Sequence, residues 1–221
     1  MKNNRGNFKK LFDIFLDICK ENDIWYAVDG TTLLGVVRHS GFVPWDEKIQ
    51  VMMTSESFNK LKRIATSNVI DSSSAKIKKK LSSFFVMDSS DLVSTQAFIE
   101  IRVLIPTTVK KIKKFKSFKY LLNSKISNKK INTKTSITYL KEARFEGFWL
   151  LSNRKQKIIS SWIQVLSFNT TELQFIDLKV NVPIEYDSIL KTWHGENYMK
   201  AKVPHKILNY LSPLKWTKEN I

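Results

Sequence analysis

Apolar residues recur at helical spacing through Phe8, Leu11, Phe12, Phe15, Leu16 and Cys19, with Lys9, Lys10, Asp17 and Lys20 on the other side, which predicts an amphipathic helix over residues 6–22. Ile24 to Val28 follows as a short run of aromatic and branched residues bounded by turn formers, which reads as a strand. Gly30-Thr31-Thr32 then opens a helix that carries Leu33, Leu34, Val36 and Val37 inward and ends on Arg38-His39. A turn from Gly41 to Pro44 delivers Trp45 and a charged cluster to the head of a second strand, Ile49 to Met53. Thr54 to Ser57 starts the next helix, with Phe58, Leu61, Ile64 and Ala65 at helical spacing.

Asp71 to Ser74 is a loop, and the basic segment up to Lys80 belongs to a short strand or turn. Ser82 to Met87 and Ala97 to Ile105 read as two strands of a hairpin, with a Ser/Asp turn near Ser89-Ser90-Asp91. The period of two puts Glu100 and Arg102 on one face of the second strand and Ile99, Ile101 and Val103 on the other. A charged face on so apolar a strand is expected to look into a site. From Thr107 the pattern turns helical through Val109, Ile112, Phe115, Phe118, Leu121 and Leu122. Residues 123–135 are the expected flexible loop, Ile137 to Leu140 is a further apolar run, and Glu146-Gly147 is a short exposed turn. Ile158, Ile159, Trp162, Ile163, Val165 and Leu166 predict a helix over residues 154–168. Phe175 to Pro183 reads as strand then turn, and residues 184–195 as a short helix capped by Gly195. No internal repeat appears.

Length adds a bound: 221 residues make one sizeable domain, residues 1–221, and not two comfortable ones. At 43% hydrophobic and 26% charged the chain has the composition of a globular protein. No uncharged apolar run approaches the roughly 18 residues of a membrane span, and the basic N-terminus leads into an amphipathic helix rather than an apolar signal core, so a soluble cytoplasmic protein is expected. A lone cysteine, Cys19, excludes an internal disulfide and a cysteine metal cage; its place on the apolar stripe makes it a small buried hydrophobe. The net charge of +17 has two readings. One is a polyanion partner, such as nucleic acid, a phosphorylated glycan or an anionic membrane surface touched peripherally. The other is a lysine-rich composition with solvated faces. Nucleic-acid binders mix arginine and aromatic residues into their basic patches. Lys76 to Lys80 and Lys110 to Lys114 are runs of lysine on exposed positions, so most of the charge reads as composition and nucleic acid as the weaker partner.

The candidate chemistry sits between Val28 and Val51. A strand, a Gly/Thr turn, a helix and a second strand carrying carboxylates form a recurring device for a nucleotide phosphate, because free N–H groups at a helix N-terminus attract anions. Carboxylates on the next strand can hold a divalent metal that bridges the phosphates. In order and spacing, Asp29-Gly30-Thr31-Thr32-Leu33-Leu34-Gly35, Val37-Arg38-His39 and Gly41-Phe42-Val43-Pro44-Trp45-Asp46 resemble the LicD/fukutin family nearly residue for residue. The end of the chain resembles it too, in Val182-Pro183, Tyr186-Asp187, Leu190 and Gly195 to Met199, with His194 where a tyrosine or a neighbouring polar residue is expected. The resemblance implies an α/β (α+β) nucleotidyltransferase-like fold, a mixed sheet flanked by helices. It also implies transfer of a phosphorylated alcohol, of the phosphocholine or ribitol-phosphate type, from a CDP-linked donor to a glycan hydroxyl with Mg²⁺.

Under that resemblance, Asp29, Gly30, Thr31, Thr32, Arg38 and His39 are the candidate donor-binding residues, and Asp46 and Glu100 the remaining metal ligands and catalytic carboxylates. Each has a plainer role open to it: Asp29 in local backbone bonding, Gly30 to Thr32 in an ordinary helix start, Arg38 at a helix C-terminus, His39 in packing. Glu47 is a further carboxylate, which strand alternation aims away from Asp46. The family's aspartate pair is replaced by Lys48 and Gln50. A lysine in a metal shell repels the ion, and a glutamine carbonyl is a weak ligand. Lys48 is therefore expected to pair with Asp46 or Glu100, or to grip a diphosphate in the metal's place. Three readings follow: a family member that keeps the fold and binds without turnover, an active transferase using Asp46, Glu47 and Glu100, or a basic binding protein for nucleic acid or another polyanion.

Overall fold

The computed structural model describes residues 5–46, 48–66, 75–77, 84–87, 99–110, 112, 147–153, 158–164 and 168–200. Its elements are α1 (Arg5–Glu21), β1 (Ala27–Val28), α2 (Gly30–His39), β2 (Ile49–Met53), α3 (Ser55–Thr66), β3 (Ala75–Ile77), β4 (Phe84–Met87), β5 (Ile99–Thr107), β6 (Phe148–Asn153), β7 (Ile158–Gln164), β8 (Thr170–Phe175), β9 (Leu178–Pro183) and α4 (Tyr186–His194). This is a mixed α/β fold, as expected. Strand β5 organises it. On one edge β5 pairs in parallel with β2, and on the other its first residues pair antiparallel with β4 and its last with β6. The seven-stranded sheet thus runs β1-β2-β5-β4-β3, with β6 and β7 continuing from the far end of β5. The parallel step from β2 to β5 requires a crossover, and α3 is part of it.

Strand β5 is long because it is buried on both faces. Ile99, Ile101, Val103 and Leu104 are all buried, as are Ile49, Val51, Met52 and Met53 on β2. Helix α1 lays Phe8, Leu11, Phe12, Phe15, Ile18 and Cys19 into the core, the stripe that its periodicity shows. Phe12 meets Phe175 edge-on at 5.7 Å and Phe15 meets Tyr26 at 5.4 Å, so α1 clamps the β8–β9 hairpin against β1. Burial pushes the Cys19 thiol well above its usual range.

The segment expected to be helical at residues 154–168 is instead strand β7, hairpinned to β6. Leu151 faces Ser161 while Ser152 faces Ile159, so Ser160 is an extra residue in the ladder. Apolar residues come here in adjacent pairs, Ile158-Ile159 and Trp162-Ile163, a spacing that a helix fits better than a period of two, and the bulge disturbs that period further. The tail is also a full hairpin rather than one strand and a turn. Phe175 pairs with Leu178 around a bend at Ile176, whose φ of 59° is rarely adopted by a branched residue. Its N–H donates to Ser40 O at 2.6 Å, which ties the bend to the end of α2. Gly147, expected in an exposed turn, is buried at the start of β6. Residues 109, 110 and 112 are helical as predicted; the rest of that helix, the 71–74 and 89–91 turns, residues 123–135 and residues 137–140 lie outside the described residues.

Candidate functional site

Helix α2 starts where the β1 chain ends. Asp29, extended at φ −142°, caps it by accepting the Gly30 N–H on Oδ1 at 2.7 Å. Gly30 has φ +54°, and a Cβ there would overlap the Gln50 side-chain carbonyl and the Arg102 guanidinium, so only glycine fits. Midway along α2 a Cβ on Gly35 would overlap the Gly41 carbonyl, so glycine lets the returning chain pack close, and that chain brings Asp46 to Thr31 at the head of the helix.

Thr31 and Thr32 stitch this start to β2. The Thr31 N–H donates to Gln50 Oε1 at 2.9 Å, and its hydroxyl donates to Asp46 Oδ2 at 2.7 Å while lying 3.0 Å from Gln50 Oε1. Thr32 Oγ1 accepts the Gln50 N–H at 2.8 Å and donates to Lys48 O at 3.1 Å. Because β2 and β5 run parallel with Gln50 opposite Glu100, Gln50 Nε2 reaches Glu100 Oε2 at 2.9 Å. Asp46, Thr31, Gln50 and Glu100 therefore form one hydrogen-bonded chain across the C-terminal side of the β1–α2 device.

Several expectations change. The N–H groups of Gly30 and Thr31, expected to stand open for a phosphate, are taken by Asp29 and Gln50. Asp46 and Glu100, expected to share a metal, are instead joined through Thr31 and Gln50. Lys48, expected to pair with one of those carboxylates, gives Asp46 Oδ1 only its backbone N–H at 3.1 Å. Among the described residues its ammonium makes no ion pair, and the residue is half-buried. Glu47 lies outside the described residues.

Asp29 is wholly buried and forms an ion pair through Oδ2 with Arg102 Nε at 2.5 Å. Burial raises its pKa, against the pull of Arg102 and the Gly30 N–H. Its role is to cap α2 and to seat Arg102. The charged face of β5 thus serves two partners, Glu100 bonding Gln50 and Arg102 pairing with Asp29. Sequence reasoning placed Arg102 beside Glu100 on the face expected to look into a site but gave it no role there.

Helix α4 closes one side. Arg102 lies 5.8 Å from the Trp193 ring centroid, and Trp193 Nε1 donates to Trp162 O at 2.8 Å. Arg38 stacks 5.6 Å from the Trp45 centroid. The His194 pKa is lowered by burial and then by Arg38. His39 stands at the exposed end of α2, which removes it from packing; desolvation first and Arg38 second lower its pKa. The family-like tail is a latch: Tyr198, buried, donates its hydroxyl to Asp187 Oδ1 at 2.8 Å.

The donor set among the described residues does not suit a divalent metal. Such an ion needs several hard oxygen ligands with negative charge among them. Gln50 spends its carbonyl on Thr31 and turns N–H groups toward Glu100, and Lys48 brings positive charge to the same strand. Among the described residues no three His, Cys, Asp or Glu side chains are grouped as metal ligands.

A family model described as LicD/FKTN/FKRP, nucleotidyltransferase domain, matches residues 23–185. Over 50 residues the chain is 38% identical to lipopolysaccharide cholinephosphotransferase LicD of Haemophilus influenzae, a match covering 23% of this chain and 19% of that protein. The family match begins just before β1, takes in the whole network of Thr31, Asp46, Gln50 and Glu100, and ends at the start of α4. The chain belongs to the LicD/FKTN/FKRP nucleotidyltransferase-domain family.

Proposed function

We propose that this domain binds a CDP-linked phosphorylated alcohol of the phosphocholine or ribitol-phosphate type at the head of α2, and that it has lost most of the family's capacity to transfer that group to a glycan hydroxyl. Family membership supports the donor class, and the cholinephosphotransferase similarity favours phosphocholine. The observation that carries the loss is the pair of residues at the family's aspartate positions, Lys48 and Gln50, with Gln50 bonded to both α2 and Glu100.

In an active member the glycan oxygen attacks the phosphorus next to the alcohol, CMP leaves, and a carboxylate takes the hydroxyl proton. Asp46 and Glu100 are the groups of this chain placed for that proton. Asp46 already accepts the Thr31 hydroxyl and the Lys48 N–H, and Glu100 the Gln50 amide, so both are held by hydrogen bonds. Arg38, held on Trp45, is the candidate contact to a donor phosphate. Titration calorimetry with CDP and CDP-choline, with and without Mg²⁺, tests the reading together with an assay for CMP release on a glycan acceptor. Binding with little or no CMP release is expected. Fast metal-dependent release would restore the active reading. No nucleotide binding but salt-sensitive binding of DNA or RNA would favour a polyanion-binding protein, for which the +17 net charge is the basis.

A further inference from the structure

We infer that the site at the head of α2 operates without a divalent metal, Gln50 taking over the metal's structural role and Lys48 its charge toward a nucleoside diphosphate. This rests on the proposed donor reading and deepens it.

The structural role comes first. Register places residue 50 of β2 directly opposite Glu100 of β5. A carboxylate at position 50 would face another carboxylate at hydrogen-bonding range, an arrangement that needs a cation or a shared proton between them. Gln50 removes that need. It is neutral and has both kinds of polar atom, so Nε2 donates to Glu100 at 2.9 Å while Oε1 accepts the Thr31 N–H at 2.9 Å. The strand pair and the helix start are thereby joined by one amide. Gly30 is part of the same fit, since any side chain there would overlap Gln50 and Arg102.

Charge is the second role. Against the aspartate pair of the family pattern that the chain resembles, Lys48 and Gln50 move these positions from −2 to +1. Asp46 is satisfied by the Thr31 hydroxyl and the Lys48 backbone N–H. The Lys48 ammonium makes no ion pair among the described residues. A half-buried cation with no carboxylate partner among the described residues suits the oxygens of a diphosphate. A metal-bound diphosphate brought to the same place would meet the like charge of Lys48.

Two measurements separate this from the donor reading. First, the full chain is titrated with Mn²⁺ alone, followed by water proton relaxation. Wild-type protein is expected to take up none at millimolar metal, and Lys48→Asp/Gln50→Asp to gain a site; Lys48→Asp alone serves if the double variant does not fold. Second, CDP is titrated in EDTA and in Mg²⁺. Wild-type affinity is expected to agree within about twofold between the two, and Lys48→Ala to weaken it about tenfold or more, the worth of one charge-assisted hydrogen bond. Mn²⁺ uptake by wild-type protein, or CDP binding that requires Mg²⁺, overturns the metal-free site while leaving the donor reading standing. Unchanged CDP affinity in Lys48→Ala overturns the role of Lys48. An absence of CDP binding in both buffers overturns the donor reading and this inference together.

Discussion

Replacing Arg102 by Met keeps the length and apolar stem of the side chain but takes the charge from a partner that is 0% exposed. Asp29 pairs with Arg102 Nε through Oδ2. Breaking a buried pair from one side costs about 3–5 kcal/mol, because the surviving carboxylate has neither solvent nor counter-charge. A domain of this size loses roughly 2–4 °C of Tm per kcal/mol, so Arg102→Met is expected to melt about 6–20 °C below the parent. The pH dependence identifies the cause. The Asp29 pKa is raised above its ordinary 3.8 by burial. Such a group favours the folded state fully below its unfolded pKa, and that contribution is lost as pH rises through the folded pKa. Removing Arg102 raises the folded pKa further, so the variant's deficit is expected to be largest near pH 8 and to narrow toward about pH 5. Adding Asp29→Asn removes the charge while its amide oxygen still caps Gly30, so the double variant should recover most of the loss. Urea unfolding followed by Trp fluorescence measures each step. A deficit under about 1 kcal/mol, or one that does not change with pH, refutes the coupling of Asp29 to Arg102.

Gly30→Ala places a Cβ at φ +54° against the Gln50 carbonyl and the Arg102 guanidinium, and is expected to cost about 2–3 kcal/mol by urea unfolding, from the left-handed backbone plus one displaced hydrogen bond. Phe12→Ala empties a fully buried site between Phe15 and Phe175, and should cost about 3–5 kcal/mol in the same assay. Cys19 is 2% exposed and its pKa is raised by burial, so a thiol reagent at about pH 8 should label it only at the rate of unfolding; fast labelling of native protein would contradict its place in the α1 core.

The fold was most legible where hydrophobic period and local chemistry agree. The α1 stripe, the start of α2 at Gly30, β2 at Ile49–Met53 and the start of α3 at Ser55 all stand where the pattern puts them. Legibility failed where the strand carries no period of two. Ser160 is an extra residue in the β6–β7 ladder, and even with it left out of the count Ile158-Ile159 and Trp162-Ile163 stay adjacent pairs. The β8–β9 bend carries Ile176-Asp177 rather than the Asn-Gly type that announces a hairpin. Its φ of 59° is held by a tertiary bond to Ser40, which no local signal could reveal.

For the site, sequence alone grouped Thr31, Asp46, Gln50 and Glu100, which the structure joins by hydrogen bonds, but not their pairing. Period two put Glu100 and Arg102 on one face of β5, yet only the parallel register with β2 tells that residue 50 meets Glu100 and that Arg102 is free to turn to Asp29. Lys48 illustrates the reverse error. Its charge suggested a carboxylate partner, whereas the strand offers Asp46 the Lys48 backbone N–H at 3.1 Å and leaves the ammonium pointing to no acid among the described residues. A substitution at a ligand position is therefore read best by asking which neighbour takes over the lost bond. At position 50 the answer is an amide that joins Thr31 to Glu100, and a neutral amide there avoids the repulsion that two facing carboxylates would have. That compensation explains how the helix start and the strand pair can stay joined with Lys48 and Gln50 in place, and it makes Gln50→Asp a substitution that should set two carboxylates against each other across β2 and β5.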